Sequence, residues 1–91
     1  MMLNQVILVG RMSSVNKLEV GYKITLTTTK GNTSQELIDV NVVINEVLAQ
    51  KILNAGFKVG STIGIKGSLN EKNEVNAERL TMISVNKEQS L

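Results

Sequence analysis

Basic and hydroxyl side chains supply most of the chemistry that this chain can offer to a ligand. The sequence contains no His and no Cys, which excludes imidazole acid–base chemistry, thiolate metal sites and disulfides. It has no Trp and only one Tyr and one Phe, so few rings are available on which a planar group could stack. We therefore expect no metal ion, no cofactor and no catalytic residue, and a binding protein rather than an enzyme.

The overall charge leaves the partner open. A net charge of +2 at pH 7 is compatible with a polyanion and equally with an ordinary protein surface. With 42% hydrophobic and 20% charged residues, the chain has the composition of one folded domain, expected over residues 1–86 with a frayed end at 87–91. No apolar run approaches the ~18 residues of a membrane span, and no secretory signal is recognisable. These features favour a cytoplasmic protein.

Two segments alternate between apolar and polar residues with the period of a half-buried strand. In residues 22–29 the two sides carry different chemistry: Tyr22, Ile24 and Leu26 on one, Lys23, Thr25 and Thr27 on the other. In residues 36–44 the even positions are all aliphatic and are predicted to face the core: Ile38, Val40, Val42 and Ile44. The odd positions are mixed and are predicted to meet solvent or a ligand: Leu37, Asp39, Asn41 and Val43.

The remaining segments complete a pattern of three strands, one helix and two strands. Residues 4–11 form a first strand that bends or bulges at Gly10, and residues 12–21 either continue it as an edge strand or form a loop. Asn45 is a predicted N-cap, and Gly56 ends that helix. Further strands follow at 60–69 and 74–85, joined by a tight turn at 70–73. This order suits a five-stranded Greek-key barrel with the short helix closing one end.

Two motifs carry a resemblance to a known family. The opening, Met2-Leu-Asn-Gln-Val-Ile-Leu-Val-Gly-Arg11, resembles the first strand of bacterial single-stranded-DNA-binding proteins, and residues 60–69 resemble their fourth strand. Weaker similarity touches the other strands. The resemblance implies an OB fold, binding of single-stranded DNA without sequence specificity in replication, recombination or repair, and assembly into a homodimer or homotetramer.

The chain departs from that family where its members stack bases on aromatic rings. The corresponding positions carry Leu37 and Val43 in the third strand and Asn32 after the second, and the shortened 70–73 hairpin has no ring. The chain also ends at Leu91 without the family's acidic, Phe-tipped peptide, so recruitment of replication proteins through such a tail is not expected. Because each stacked base contributes about 1–3 kcal/mol, we expect weaker binding that depends mainly on backbone phosphates and is sensitive to salt.

The predicted DNA contacts are the basic and polar side chains of the outer face and the hairpin tips: Arg11, Lys23, Thr25, Thr27, Lys30, Asn32, Asn41, Lys72 and, by its ring, Tyr22. Lys23 is the strongest candidate for a phosphate contact, because it lies on the outer face. Parity places Tyr22 on the core side or at the barrel rim, which disfavours stacking on it. Asp39 on the outer face repels phosphate, unless it pairs with Lys23 or with a threonine hydroxyl across the hairpin.

Apolar residues outside the strand pattern are assigned to packing or to interfaces. Phe57 is predicted to anchor the loop after the helix, and Met12 and Met82 to fill the core or an interface. The run Val6–Val9 is aliphatic on both faces, which favours burial between subunits. An alternative function remains open: an OB-fold module of a primosomal, replication-restart type that chiefly contacts other proteins, with DNA binding secondary.

Overall fold

The computed structural model describes residues 1–31, 35–56 and 58–84. Its elements are, in chain order, β1 (Val6–Lys17), β2 (Tyr22–Thr29), β3 (Leu37–Ile44), α1 (Glu46–Asn54), β4 (Thr62–Leu69) and β5 (Val75–Ser84). The predicted order of three strands, one helix and two strands is confirmed. Within the described ranges, no helix is long and apolar enough to span a membrane. The predicted contact Asn32 and the predicted core residue Phe57 lie outside the described residues, as does the frayed end at 87–91.

The strands close into a barrel in the order β1-β2-β3-β5-β4. Four of the pairings are antiparallel, and β3 pairs with β5 in parallel through Val42 with Val75 and Val43 with Asn76. β1 serves two neighbours, because residues from Val6 to Arg11 pair with β4 and those from Arg11 to Lys17 pair with β2. This closed five-stranded barrel, with its one described helix between β3 and β4, is an OB fold, as predicted.

Aliphatic side chains fill the barrel. The fully buried ones are Met12, Ile24, Leu26, Val42, Ile44, Ile63 and Val75. The predicted core face of β3 is confirmed at Val42 and Ile44, but it is wrong at Ile38, which is 41% exposed. The reason is that β5 pairs only with the Val42–Val43 end of β3, so the amino-terminal half of β3 extends along β2 beyond the closed part of the barrel.

A β-bulge shapes the middle of β1. Both alternatives for the segment 12–21 apply in part: it continues the strand to Lys17, and residues 18–21 form the loop to β2. The register with β2 shifts between Met12 and Ser14, which places the bulge there and not at Gly10. Gly10 has a different role: a Cβ at this position would lie 2.5 Å from the Thr27 carbonyl oxygen, so the close approach of β1 to β2 requires glycine.

The helix is fixed at its start by two side chains. Asn45 accepts a hydrogen bond from the Leu48 backbone N–H at 2.9 Å, which confirms the predicted N-cap. Glu46 accepts hydrogen bonds from the Gly21 backbone N–H at 2.8 Å and from the Lys17 ammonium at 3.3 Å. These contacts lower the pKa of Glu46, the Gly21 N–H contributing most, and they tie the β1–β2 loop to α1.

Two glycines of β4 provide a matched test of barrel closure. A Cβ at Gly67 would lie 2.0 Å from the Asn76 carbonyl oxygen, whereas a Cβ at Gly64 would meet its nearest atom, a Val9 methyl, at 3.6 Å. We expect Gly67→Ala to lower the free energy of unfolding by at least about 2 kcal/mol, since the backbone of β5 must move. Gly64→Ala should change it by less than about 0.5 kcal/mol. Urea denaturation of the two variants, compared at equal m-value, measures both; equal midpoints would contradict the prediction.

Candidate nucleic-acid interface

The outward side chains of β1, β2 and β3 form one continuous surface, here called the β1–β3 face: Arg11, Ser13, Ser14, Lys23, Thr25, Thr27, Asp39 and Asn41. Strand register sets their order. Arg11 lies opposite Thr27, which lies opposite Asp39 on β3. In the same way Thr25 lies opposite Asn41. The pairing predicted between the polar positions of β2 and the odd positions of β3 is therefore present.

Hydroxyl groups link the three strands across this face. Thr27 donates its hydroxyl to Asp39 Oδ1 at 2.7 Å, and its Oγ1 also lies 3.0 Å from Ser13 Oγ. Ser14 donates to Thr25 Oγ1 at 2.8 Å. Of the two partners considered for Asp39, the threonine hydroxyl is the one observed. Sequence reasoning missed both serines, because only the bulge in β1 turns two consecutive residues toward the same face.

Lys23 lies on the β1–β3 face, but its ammonium group is already paired. Its Nζ is 2.7 Å from Glu74 Oε2, and the Glu74 side chain is only 12% exposed. The β4–β5 turn positions this carboxylate: Asn70 Oδ1 accepts hydrogen bonds from the backbone N–H groups of Lys72 and Glu74, at 2.9 and 3.0 Å. The hydrogen bond from Lys23 lowers the pKa of Glu74, against the opposing effect of burial. A ligand that recruits Lys23 must therefore compete with Glu74.

The other predicted cations are spread along β2. Lys30 follows the last residue of β2, and its Nζ is 3.8 Å from an oxygen of the exposed Glu36. Arg11 is exposed beside the middle of β2, and Lys72 lies in the turn next to Glu74, whose pKa its charge helps to lower. The interval from Lys23 to Lys30 spans about 23 Å of strand. The basic groups thus follow one line along the barrel instead of forming a cluster.

Tyr22 is outside this line. It is partly buried, packs against the core and lines an apolar cavity of about 200 Å³ beneath α1. The Lys17 ammonium lies 4.8 Å from its ring centroid. The orientation predicted from strand parity is confirmed, and the ring is not part of the β1–β3 face.

The groove on the β1–β3 face lies beside Arg11. It has a volume of about 410 Å³, and its walls include Arg11, Ser13 and Thr27 together with the aliphatic residues Val9 and Leu37. Val9 and Leu37 are 55% and 66% exposed. The face therefore offers hydroxyls, one unpaired guanidinium and aliphatic surface, and no aromatic ring among its described residues. Such a surface can contact phosphates, sugars and base edges.

Comparison with known proteins places the fold among small DNA-binding barrels. Rim1, a mitochondrial single-stranded-DNA-binding protein from S. cerevisiae, superposes with a TM-score of 0.77 at 12% identity, over 96% of this chain and all of its own. A small single-stranded-DNA-binding protein from Mycoplasma pneumoniae gives 0.70 at 22% identity, over 88% of this chain and 93% of its own. One from Streptomyces coelicolor gives 0.59 at 17% identity, over 91% and 96%.

No family model matches the sequence, and no curated protein matches it. At these sequence identities, the structural similarity shows a shared OB fold. The structural neighbours are small single-stranded-DNA-binding proteins, as the motifs in strands β1 and β4 suggested.

The Lys23–Glu74 pair makes stability depend on pH in a defined direction. The folded-state pKa of Glu74 lies below its ordinary value of 4.5, so the ionised carboxylate stabilises the fold above that pH. This contribution is lost as the pH falls through the lowered pKa.

We expect Glu74→Gln to reduce stability at pH 7 and to lose less stability than the wild type on acidification to about pH 3. Urea midpoints across this range measure the difference. Glu78→Gln, which removes an exposed carboxylate of β5, is the control, and parallel profiles for wild type and Glu74→Gln would contradict the prediction.

Proposed function

We propose that this protein binds single-stranded DNA along the β1–β3 face and acts as a binding protein rather than an enzyme. The observation that carries the proposal is the line of cations, Lys30, Arg11, Lys23 and Lys72, along an open hydroxyl-rich surface of an OB fold. In OB folds, oligonucleotides bind on the barrel face and its flanking loops. The structural neighbours support the same ligand, since the similar proteins from S. cerevisiae, M. pneumoniae and S. coelicolor are single-stranded-DNA-binding proteins.

Phosphate contacts supply most of the affinity in this proposal, and base sequence has little influence on it. The face carries no aromatic ring among its described residues, so the stacking energy of about 1–3 kcal/mol per base is missing there. Arg11 has no partner among the residues that the structure describes, while Lys23 and Lys30 exchange Glu74 and Glu36 for phosphate when DNA binds. Binding is therefore weak and depends steeply on salt. The corresponding role is in replication, recombination or repair, in the cytoplasm.

Two arginines on different parts of the outer surface test which part binds. Arg11 lies on the β1–β3 face, and the exposed Arg79 lies on the outer surface of β4 and β5. We expect Arg11→Ala to weaken binding of fluorescent oligo-dT about threefold to tenfold, the loss of one charge-assisted contact, while Arg79→Ala has little effect. Fluorescence anisotropy at low salt measures both. A larger loss in Arg79→Ala would place DNA on the β4–β5 surface instead.

The same titrations at about 50 and 200 mM salt count the phosphate contacts, since the slope of log K against log salt for single strands is about −0.7 per phosphate. Phosphate contacts by the three lysines predict a slope of about −2, and a phosphate contact by Arg11 as well would bring it to about −3. A wild-type affinity that does not change with salt, or no measurable affinity, would overturn the proposed function.

An apolar patch on the outer surface of β1, β4 and β5 supports self-association, and it adjoins the groove beside Arg11 at Val9. Ile7, Val9 and Ile83 are 70%, 55% and 52% exposed, and they surround Gly64, which leaves a shallow groove between them. We propose that a second copy of the chain covers this patch, forming a dimer or the core of a tetramer. In this part of β1, from Val6 to Gly10, β4 is the neighbouring strand, and pairing with β2 begins at Arg11. Contact with a different protein through this patch is the alternative, in which DNA binding is secondary.

Ile7→Lys tests self-association, because it places a charge in the centre of the patch. We expect it to shift the protein toward the monomer in sedimentation velocity at micromolar concentration. Val20→Lys is the control, since Val20 is 74% exposed in the β1–β2 loop and outside the patch. A wild-type protein that is already monomeric would contradict self-association. A stable oligomer that binds no DNA would favour the protein-interaction alternative.

A further inference from the structure

Arg11 and Asp39 are opposite charges on one row of the β1–β3 face, and they do not pair with each other. Thr27 lies between them, opposite Arg11 on β1 and opposite Asp39 on β3. Neighbouring strands are ~4.8 Å apart, so the two backbones are separated by about 10 Å. Among the described residues, Arg11 makes no hydrogen bond or ion pair, and Asp39 uses only Oδ1, for the Thr27 hydroxyl. One guanidinium and one carboxylate oxygen are therefore left to face each other across Thr27.

The surroundings of this row suit a flat, partly apolar ligand. The groove beside Arg11 has aliphatic walls in Val9 and Leu37, both more than half exposed. Aliphatic side chains give a planar ring dispersion contact and shield it from water, although they provide no stacking partner. Thr27 donates its proton to Asp39, which fixes the orientation of the carboxylate. The carboxylate beside the groove is thus preorganised, with Thr27 shared between the groove wall and Asp39.

A phosphate group does not use this arrangement. It would bind Arg11, but Asp39 on the same row would repel it. The charges instead match a ligand with hydrogen-bond acceptors along one edge and donors along the other. Within single-stranded DNA, such edges belong to the bases, whose Watson–Crick and Hoogsteen sides are both accessible.

Guanine is the base that satisfies both ends. Its O6 and N7 are adjacent acceptors, the pair that arginine binds with two parallel hydrogen bonds. Its N1–H and 2-amino group are adjacent donors on another edge, which a carboxylate can accept. Thymine offers a single N–H between two carbonyl oxygens, which Asp39 would repel. Adenine has no pair of adjacent acceptors for Arg11. Cytosine has one, N3 and O2, but its single amino group lies on the same edge, so it does not present acceptors and donors on separate edges.

We propose that Arg11, Thr27 and Asp39 form a guanine-preferring subsite on the DNA-binding face. The proposal rests on the proposed function and adds to it a preference at one position, while binding elsewhere along the face stays tolerant of sequence. Arg11 binds the O6/N7 edge, Asp39 accepts from N1–H and the 2-amino group, and Leu37 covers one side of the ring.

The test compares short oligothymidylates that carry an isolated guanine, adenine or cytosine at every third position with oligo-dT of equal length. Isolated guanines in lithium buffer prevent quadruplex formation. We expect the guanine oligonucleotide to bind about fivefold to tenfold more tightly than oligo-dT. This is the low end of the range for one bidentate base contact, because the site is exposed. Equal affinity for all four oligonucleotides would overturn the subsite and leave the proposed function intact. No binding of any oligonucleotide would overturn the proposed function itself.

Base analogues separate the two ends of the subsite. Hypoxanthine lacks the 2-amino group that faces Asp39, and 7-deazaguanine lacks the N7 that faces Arg11. Each analogue should reduce the guanine preference to about twofold to threefold, because it removes one hydrogen bond at an exposed site. Analogues that bind as tightly as guanine would contradict the assignment of the edges.

Matched variants assign the preference to the named residues, with the ratio of the oligo-dT and guanine-oligonucleotide dissociation constants as the readout. Asp39→Asn keeps an acceptor for Thr27 but places an amide where guanine presents donors, so the ratio should fall to near one. Arg11→Lys keeps the charge and loses the planar fork, so the ratio should fall to about two. Glu78→Gln removes a carboxylate outside the face and should keep the wild-type ratio. An unchanged ratio in Asp39→Asn would overturn the proposal.

Discussion

Closure of the barrel through β1 is the constraint on which the other features of this structure depend. The strand must pair with β4 along its first half and with β2 along its second, so it has to turn sharply between them. Two local features allow this: Gly10 lets the backbone approach Thr27, and the bulge at Met12–Ser14 changes the register. On the other side of β4, Gly67 permits an equally close approach to Asn76. Closure of the barrel creates one interior, and the inward-facing aliphatic side chains pack there as a single core.

The bulge that closes the barrel also determines the chemistry of its outer surface. In a regular strand, Ser13 and Ser14 would point to opposite sides. In this structure the Ser14 hydroxyl is hydrogen-bonded to Thr25, and the Ser13 hydroxyl lies within hydrogen-bond distance of Thr27. Thr27 in turn donates a hydrogen bond to Asp39. A carboxylate held by a hydroxyl is a directed acceptor, while Arg11 on the same row has no partner within residues 1–31, 35–56 and 58–84. The same feature therefore positions both the structural network and the groups that face a ligand.

Much of the architecture could be predicted from the sequence, because period-two alternation and turn residues are local signals. Such local signals predicted the strands β2 and β3, the Asn45 cap and the 70–73 turn. The bulge in β1 and the exposure of Ile38 were not, since both depend on where strands distant in sequence meet. The partner of Lys23 was missed for a similar reason: Glu74 is 51 residues away, and only the parallel β3–β5 pairing brings it near. For the proposed site, sequence predicted which side chains of β2 and β3 share the outer face, but not how they pair with each other.

How strongly this surface can attract a polyanion depends more on which of its cations are already paired than on how many cations it carries. A net charge of +2 provides little long-range attraction, and two of the lysines on the line are engaged by carboxylates. When Lys23 moves to a phosphate, Glu74 loses its partner, although its side chain is only 12% exposed. The free energy of leaving this carboxylate unpaired opposes the phosphate contact. Arg11 has no such competitor among the described residues. In the proposed interface the Arg11–Thr27–Asp39 row is therefore the central feature, because hydrogen-bond geometry there could select among bases that charge alone cannot distinguish.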